Sequence, residues 1–228
     1  MTRHILITGG SRGIGAATAR LCGARGWNVT LSYRAEAAAA EATVKAVEAA
    51  GGRAQSVRAD LAEPDAIGLV WDAAESGFGP VDGFVNNAGV IGRAAPLADR
   101  PVEDIRRVVD VNVTGALIAA REAARRMPTD RGGKGGAMVI VSSAAARLGG
   151  AGGLTDYAAT KGAIDTLTWG LGQELAPGGV RVNGVRPGII VTDIHADTGD
   201  PERVERLGST TPLGRAGTAE ETAETIVW

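Results

Sequence analysis

A doubly wound α/β domain built on a parallel sheet is what this sequence predicts, and three observations predict it. Short apolar runs alternate with stretches of helical periodicity along all 228 residues, the pattern of repeated βα units. The first apolar run ends in a glycine-rich turn, Thr8-Gly9-Gly10-Ser11-Arg12-Gly13-Ile14-Gly15, that opens a helix. Apolar residues make up 44% of the chain, enough to cover both faces of one sheet.

The elements follow in order. His4 to Thr8 is a compact apolar run, which places the first strand over 3–8, and the first helix spans 14–25 with Ala17, Leu21 and Cys22 among its inward positions. A second strand over 28–32 leads into a helix over 35–50, where alanine supplies the best intrinsic propensity. Strands over 53–59, 82–86, 136–142 and 180–185 then alternate with helices over 64–76, 102–127 and 155–175. Right-handed crossovers put the binding crevice at the carboxyl ends of these strands. Gly132-Gly133-Lys134-Gly135-Gly136 reads as a flexible connector. Ala223, Ile226 and Val227 keep a helical period up to Trp228 with no stop signal, so the chain is expected to be the retained part of a longer protein.

Chemistry concentrates around Tyr157 and Lys161, four residues apart on one face of the 155–175 helix. A free phenol titrates near pKa ~10, so acid/base work near neutrality asks for a fall of roughly 2–3 in pKa, about 3–4 kcal/mol. A lysine charge about 4 Å away at an effective dielectric of ~20 would supply about 4 kcal/mol. Such a phenol suits giving a proton to a carbonyl oxygen as hydride reaches the carbon. Ser142 and Ser143 end the fifth strand, where alternation sends adjacent side chains to opposite faces, so one of them is expected to reach the cavity.

With Asn86-Asn87-Ala88-Gly89, Asn112 and Pro187-Gly188 with Thr192, these motifs resemble, in order and over nearly the whole chain, the short-chain dehydrogenase/reductase family, of the oxoacyl reductase and glucose dehydrogenase kind. The resemblance implies a single Rossmann domain over residues 1–228, strand order 3-2-1-4-5-6, with a seventh strand beyond Trp228. It implies a tetrad: Tyr157 as general acid/base, Lys161 tuning it and binding the nicotinamide ribose, Ser143 holding the substrate oxygen and Asn112 holding a water that connects Lys161 to solvent. The family's commonest serine-to-tyrosine spacing lands on Ala144, which cannot hydrogen-bond. An extra residue in the loop Gly149-Gly150-Ala151-Gly152-Gly153 keeps Ser143 in the role, with Ser142 the alternative.

The glycine turn lets backbone approach a pyrophosphate at a helix N-terminus. Where an NAD-preferring protein carries a carboxylate for the ribose 2′-hydroxyl, Tyr33 stands, followed by Arg34. With Arg12, that makes two guanidinium groups able to grip a 2′-phosphate, so NADP(H) is expected over NAD(H). By resemblance the nucleotide is bound by Gly9, Ser11, Arg12, Gly13, Ile14, Gly15, Tyr33, Arg34, Asp60, Leu61, Asn87, Ala88, Gly89, Tyr157, Lys161, Pro187, Gly188, Ile190 and Thr192. Asp60-Leu61 would contact the adenine, while Asn86 and Asn87 are expected to be partly structural.

Residues 189–215 lie where relatives carry a substrate lid; the segment holds Asp193, His195, Asp197, Asp200, Glu202, Arg203 and Glu205 and no aromatic residue. That polarity favours a small polar substrate, such as a sugar or short oxo compound, over a steroid. Asp193-x-His195-x-Asp197 is better explained as a solvated lid than as a metal site, and no metal is expected. The single Cys22 excludes an internal disulfide and belongs in the core. A net charge of −2 argues against nucleic acid and anionic membrane as partners. With no charged-then-apolar leader and no long apolar stretch, the cytoplasm is the expected location. Resemblance implies a homotetramer, or a homodimer without the seventh strand. The activity implied is an NADP-linked carbonyl reductase or alcohol dehydrogenase; the alternative is a non-catalytic NADP-binding regulator or scaffold on the same fold.

Overall fold

The computed structural model describes residues 2–150 and 152–228. Six parallel strands, β1 (His4–Ile7), β2 (Asn28–Tyr33), β3 (Arg53–Arg58), β4 (Gly83–Asn86), β5 (Gly136–Val141) and β6 (Val180–Val185), form one sheet of order β3-β2-β1-β4-β5-β6, as expected from the sequence. The order reverses between β1 and β4, which pair Ile5 with Gly83 and Ile7 with Val85. Loops leaving these two strands diverge to opposite sides, opening a crevice at their carboxyl ends.

Helices α1 (Gly13–Ala24), α2 (Ala37–Ala49), α3 (Ala66–Phe78), α4 (Val102–Val109), α5 (Ala116–Arg126), α6 (Ala145–Leu148), α7 (Thr155–Leu175), α8 (Arg203–Gly208) and α9 (Ala219–Val227) cover the sheet and its rim. On one face Trp71, Phe84, Met127, Met138 and Ile164 pack with the alanine row Ala116, Ala119, Ala120 and Ala123 of α5; on the other, Ile7, Val29, Leu31, Val47 and Cys22 interlock. The four inner strands, β2, β1, β4 and β5, bury or half-bury both of their faces, whereas the edge strands β3 and β6 keep exposed positions and carry polar residues. Ala17 and Cys22 face inward as expected, whereas Leu21 is half-buried against α9. Burial pushes the Cys22 thiol up to about 12, so it stays an inert thiol.

Two elements depart from the sequence reading. The helix expected over 102–127 is interrupted: Asp110–Gly115 forms a π-helical turn between α4 and α5. An extra residue per turn shifts the two halves, and Gly115 is packed so closely that a Cβ would lie 2.4 Å from the Leu61 carbonyl oxygen. The C-terminal period is a full helix, α9, started by a capping box in which Thr218 and Glu221 satisfy each other's backbone N–H.

Candidate active site

The turn after β1 is shaped by what its glycines omit. Gly9 and Gly13 adopt φ of 66° and 54°, a region that disfavours side chains. A Cβ on Gly15 would sit 2.2 Å from the Gly9 carbonyl oxygen, and one on Gly10 2.5 Å from Leu31 Cβ. The end of β4 is lashed to this turn: Asn87 donates its side-chain N–H groups to the Thr8 and Gly9 carbonyls (3.0 and 3.1 Å), and the backbone amides of Asn87 and Ala88 donate to Thr8 Oγ1 (3.0 and 3.1 Å). Asn86 donates to the Ala116 carbonyl. Both asparagines therefore have the structural work foreseen for them.

Above these turns lies a cleft of about 620 Å³. It is lined by Gly9, Ser11, Arg12, Ile14, Tyr33, Arg34, Asp60, Leu61, Asn87, Ala88, Gly89, Tyr157, Lys161, Pro187, Gly188, Ile190 and Thr192, and by both Ser142 and Ser143. Gly13, Gly15 and Asn112 stand behind the wall. Gly13 backs onto Thr192 and Gly15 onto Gly9 and Asn87, while Asn112 lies under Gly89, whose added Cβ would be 3.2 Å from Asn112 Oδ1 and 3.6 Å from Lys161 Nζ.

The two serines differ in their hydrogen bonds. Ser142 turns away and donates to the Lys161 carbonyl (3.1 Å), whereas Ser143 accepts from the Ala145 amide (3.1 Å) and lies beside the Tyr157 hydroxyl, pulling its pKa down. The loop from Gly149 to Gly153 follows α6, with left-handed φ at Gly149, Gly150, Gly152 and Gly153. Ala151, part of the insertion expected there, lies outside the described residues.

Tyr157 and Lys161 are buried side by side at the floor of the cleft. Their electrostatics differ from the estimate made from spacing alone. Burial holds the phenol above its usual pKa despite Ser143, and burial lowers the ammonium to about 8, against the pull of Asp165. Lys161 Nζ lies 5.7 Å from the centre of the Tyr157 ring and donates to the Val141 carbonyl (2.9 Å). The assumed separation of about 4 Å between charges in a screened medium left out the cost of desolvating both.

Asn112 also does something the sequence did not show. Its Oδ1 accepts from the Val90 amide (2.8 Å), and its Nδ2 donates to the Val90 carbonyl (2.8 Å) and to Thr160 Oγ1 (3.2 Å). Both amide protons are thereby taken, so any water at this side chain must use the remaining Oδ1 lone pair.

Several residues absent from the sequence reading shape the site. Arg107 grips both oxygens of Asp60 at 3.0 Å. Burial pushes the Asp60 carboxyl up, but the Ala62 amide and Arg107 outweigh it and hold it below the ordinary range. Arg100, buried with Asp156, donates Nε–H to Asp156 Oδ2 at 3.0 Å and a further N–H to the same oxygen, tying the loop after β4 to the residue before Tyr157. These pairs join residues 47 and 56 positions apart, which no local pattern reveals.

Residues 189–215 carry a short turn of 3₁₀ helix, Asp193–Thr198, and α8; Ile190 bridges to Gly217 and Ala94 donates to the Thr198 carbonyl (3.1 Å). His195, Asp197, Arg203 and Leu207 line the cleft, as do the apolar Ile91, Leu148 and Leu154 from outside this segment, which its polar composition had not suggested. Among the described residues no three His, Cys, Asp or Glu side chains converge as metal ligands, and no helix is long and apolar enough to cross a membrane.

Comparison with known proteins agrees with this geometry. Residues 3–203 match the family described as short chain dehydrogenase. An uncharacterized oxidoreductase of Escherichia coli K12, YgfF, is 46% identical over 223 residues, covering 98% of this chain and 90% of the relative. An L-rhamnose 1-dehydrogenase (NAD(P)+) of Azotobacter vinelandii is 40% identical, covering 99% of this chain and 88% of the relative. A crystal structure of a short chain dehydrogenase from Burkholderia cenocepacia in complex with NADP superposes with a TM-score of 0.90 at 36% identity, over 99% of this chain and 89% of that one.

Proposed function

The chain belongs to the short-chain dehydrogenase family, and from that premise we propose that this oxidoreductase uses NADP(H) to interconvert a carbonyl compound and a secondary alcohol, with Tyr157 as general acid/base. One observation carries the reading: a buried tyrosine, its lysine neighbour and Ser143 share a single cleft with the glycine turn and two arginines. The residues fit a dinucleotide, because the turn has no room for side chains where backbone must approach phosphate, and α1 points its N-terminus there.

Arg12 and Arg34 would hold a 2′-phosphate as charge-assisted forks, and Asp60, paired with Arg107, would border the adenine. When bound, the nicotinamide supplies or accepts the hydride. The protein does the rest. Ser143 donates a hydrogen bond to the substrate oxygen, which holds the carbonyl beside Tyr157. The Tyr157 hydroxyl gives that oxygen its proton, and in the reverse direction the phenolate removes it. Lys161 stabilises the phenolate whenever its amine is protonated, and Asn112 with Thr160 steadies the loop above it.

The test is Tyr157→Phe, measured with NADPH and NADH side by side against sugars, short diketones, oxoacyl thioesters and steroids. The expected result is at least a tenfold preference for NADPH in the parent, and a thousandfold or greater loss of kcat in the variant with NADPH binding retained. A variant keeping most of its kcat would refute the role of Tyr157, and a preference for NADH would refute that of the arginines. Saturable NADPH binding without turnover of any substrate would favour a regulator instead.

A further inference from the structure

The start of α7 has little of its own to hold it. Leu154, at the N-cap position, makes no side-chain capping hydrogen bond, and the turn before it is rich in glycine. Tyr157 is the third residue of this helix and so sits on the turn most prone to fray. What holds that turn comes from Arg100. Its guanidinium donates Nε–H to Asp156 Oδ2 at 3.0 Å and an Nη2 proton to the same oxygen, while Nη1 donates to the Arg93 carbonyl. The two side chains are 1% and 4% exposed. The loop after β4 wraps the same guanidinium, so closely that a Cβ on Gly92 would lie 2.8 Å from Nη2. The loop is fastened at its other points too: the Ala95 amide donates to the Gly153 carbonyl (3.1 Å) just ahead of α7, and Ile91 packs in one cluster with Val108, Leu154 and Tyr157. Neither Arg100 nor Asp156 lines the cleft, so the pair acts on the site through the residues it holds.

We propose that Arg100 is a positioning residue for Tyr157: by holding Asp156 it sets the first turn of α7 against the loop after β4 and keeps the phenol where it meets the substrate oxygen. This rests on the reading of Tyr157 as general acid/base. The pair is a poor choice for stability alone, because Asp156 Oδ1 is buried without a partner among the described residues and apolar side chains of similar volume avoid that desolvation. What the pair adds is direction. Two charge-assisted hydrogen bonds onto one oxygen fix how the turn leaves the loop, which an apolar contact does not. The nucleotide site is held by other means, since Lys161 is bonded to the Val141 carbonyl and the glycine turn to Asn87. Arg100 therefore governs the proton donor and leaves cofactor binding alone.

The experiment uses Arg100→Met, Arg100→Lys and the double variant Arg100→Met/Asp156→Leu, which strands no buried charge. NADPH titration counts folded sites and gives Kd, and kcat per site is read with whichever sugar, diketone, oxoacyl thioester or steroid the parent turns over fastest. Arg100→Met and the double variant should each lose roughly a hundredfold in kcat per site, with the NADPH Kd within about threefold of the parent. Arg100→Lys keeps the charge but cannot span Asp156 and Arg93 together, so it should recover part of kcat. A loss under about tenfold in either apolar variant, or loss of NADPH binding in Arg100→Lys, overturns the proposal. The chain has two tyrosines, so ¹³C-tyrosine labelling gives two lines, and Tyr157→Phe assigns them. The Tyr157 line should shift or broaden in every Arg100 variant while the Tyr33 line stays. This readout needs no turnover: if the parent reduces nothing, a displaced Tyr157 line removes the redox reading and keeps the positioning role, whereas an unmoved line in Arg100→Lys removes the positioning role.

Discussion

Replacing Asn112 by alanine isolates the link between the broken helix and the floor of the cleft. The side chain is almost fully buried, at 1% exposure, and three hydrogen bonds leave with it: two to the Val90 backbone at 2.8 Å and one to Thr160 Oγ1 at 3.2 Å. At about 1 kcal/mol net for each neutral bond, the loss is about 3 kcal/mol, and stranding a half-buried amide and carbonyl at Val90 adds about 1–2 kcal/mol. Thr160 keeps its own bond to the Tyr157 carbonyl and adds little. A total of about 4–5 kcal/mol corresponds, at roughly 2–4 °C per kcal/mol for a chain of this size, to a fall in Tm on the order of 10 °C.

Calorimetry of Asn112→Ala and Asn112→Asp separates hydrogen bonding from packing. Aspartate fills the same volume but offers no N–H to the Val90 carbonyl or Thr160, and it faces that carbonyl with an acceptor, so it should cost at least as much as alanine. Because Val90 follows the Asn87-Ala88-Gly89 turn, both variants should also weaken NADPH binding. A Tm within about 3 °C of the parent in alanine, or an aspartate variant clearly more stable than the alanine one, would refute the account.

Other consequences are simpler to state. Gly15→Ala should cut NADPH affinity by roughly a hundredfold or more, since its Cβ would overlap the Gly9 carbonyl and shift the turn; Gly170→Ala, in open space on α7, should stabilise by about 0.5–1 kcal/mol, and equal effects of the two would disprove the steric argument. His4 is buried, donating Nδ1–H to the Gly79 carbonyl and accepting from Thr30 at Nε2. Burial lowers its pKa from 6.5, so its stabilisation is complete above that value and is lost as pH falls through the folded-state pKa. Denaturant midpoints should thus decline from pH 7 to 5, and His4→Gln should flatten that slope. For the proposed reaction, a phenol held above its usual pKa is protonated at neutrality, so kcat/KM for carbonyl reduction should be level across neutral pH and alcohol oxidation should rise towards alkaline pH; a reduction optimum at strongly alkaline pH would contradict this.

The parts of the fold that were legible in the sequence are those written in local periodicity. The four inner strands are covered on both faces and so spell apolar runs between turn signals, while the partly exposed edge strands β3 and β6 read only from their place in the βα alternation. The π-turn at Asp110–Gly115 left no trace, since one inserted residue barely disturbs a 3.6-residue period; its causes, Leu61 against Gly115 and Val90 against Asn112, lie far along the chain. The capping box at Thr218 and Glu221 was present as a local signature and gives α9 its start, yet only the last residues of that helix were recognised. The Arg100–Asp156 and Arg107–Asp60 pairs needed the fold before they could be seen.

Tyr157 and Lys161 show where reasoning from spacing must hand over to burial. Four residues of helix place the two groups together, and that much the sequence predicts. Their charges depend on something else, the depth of the cleft floor, and depth disfavours a phenolate and an ammonium alike. With Lys161 lowered to about 8, its amine still carries a proton at neutral pH, so the charge that would favour a phenolate is available there and declines above that pH. The neutral phenol is therefore the resting state and the phenolate the costly one. A site built this way is poised to donate a proton, which matches carbonyl reduction as the easier direction at neutral pH and leaves oxidation dependent on whatever else brings negative charge onto the tyrosine.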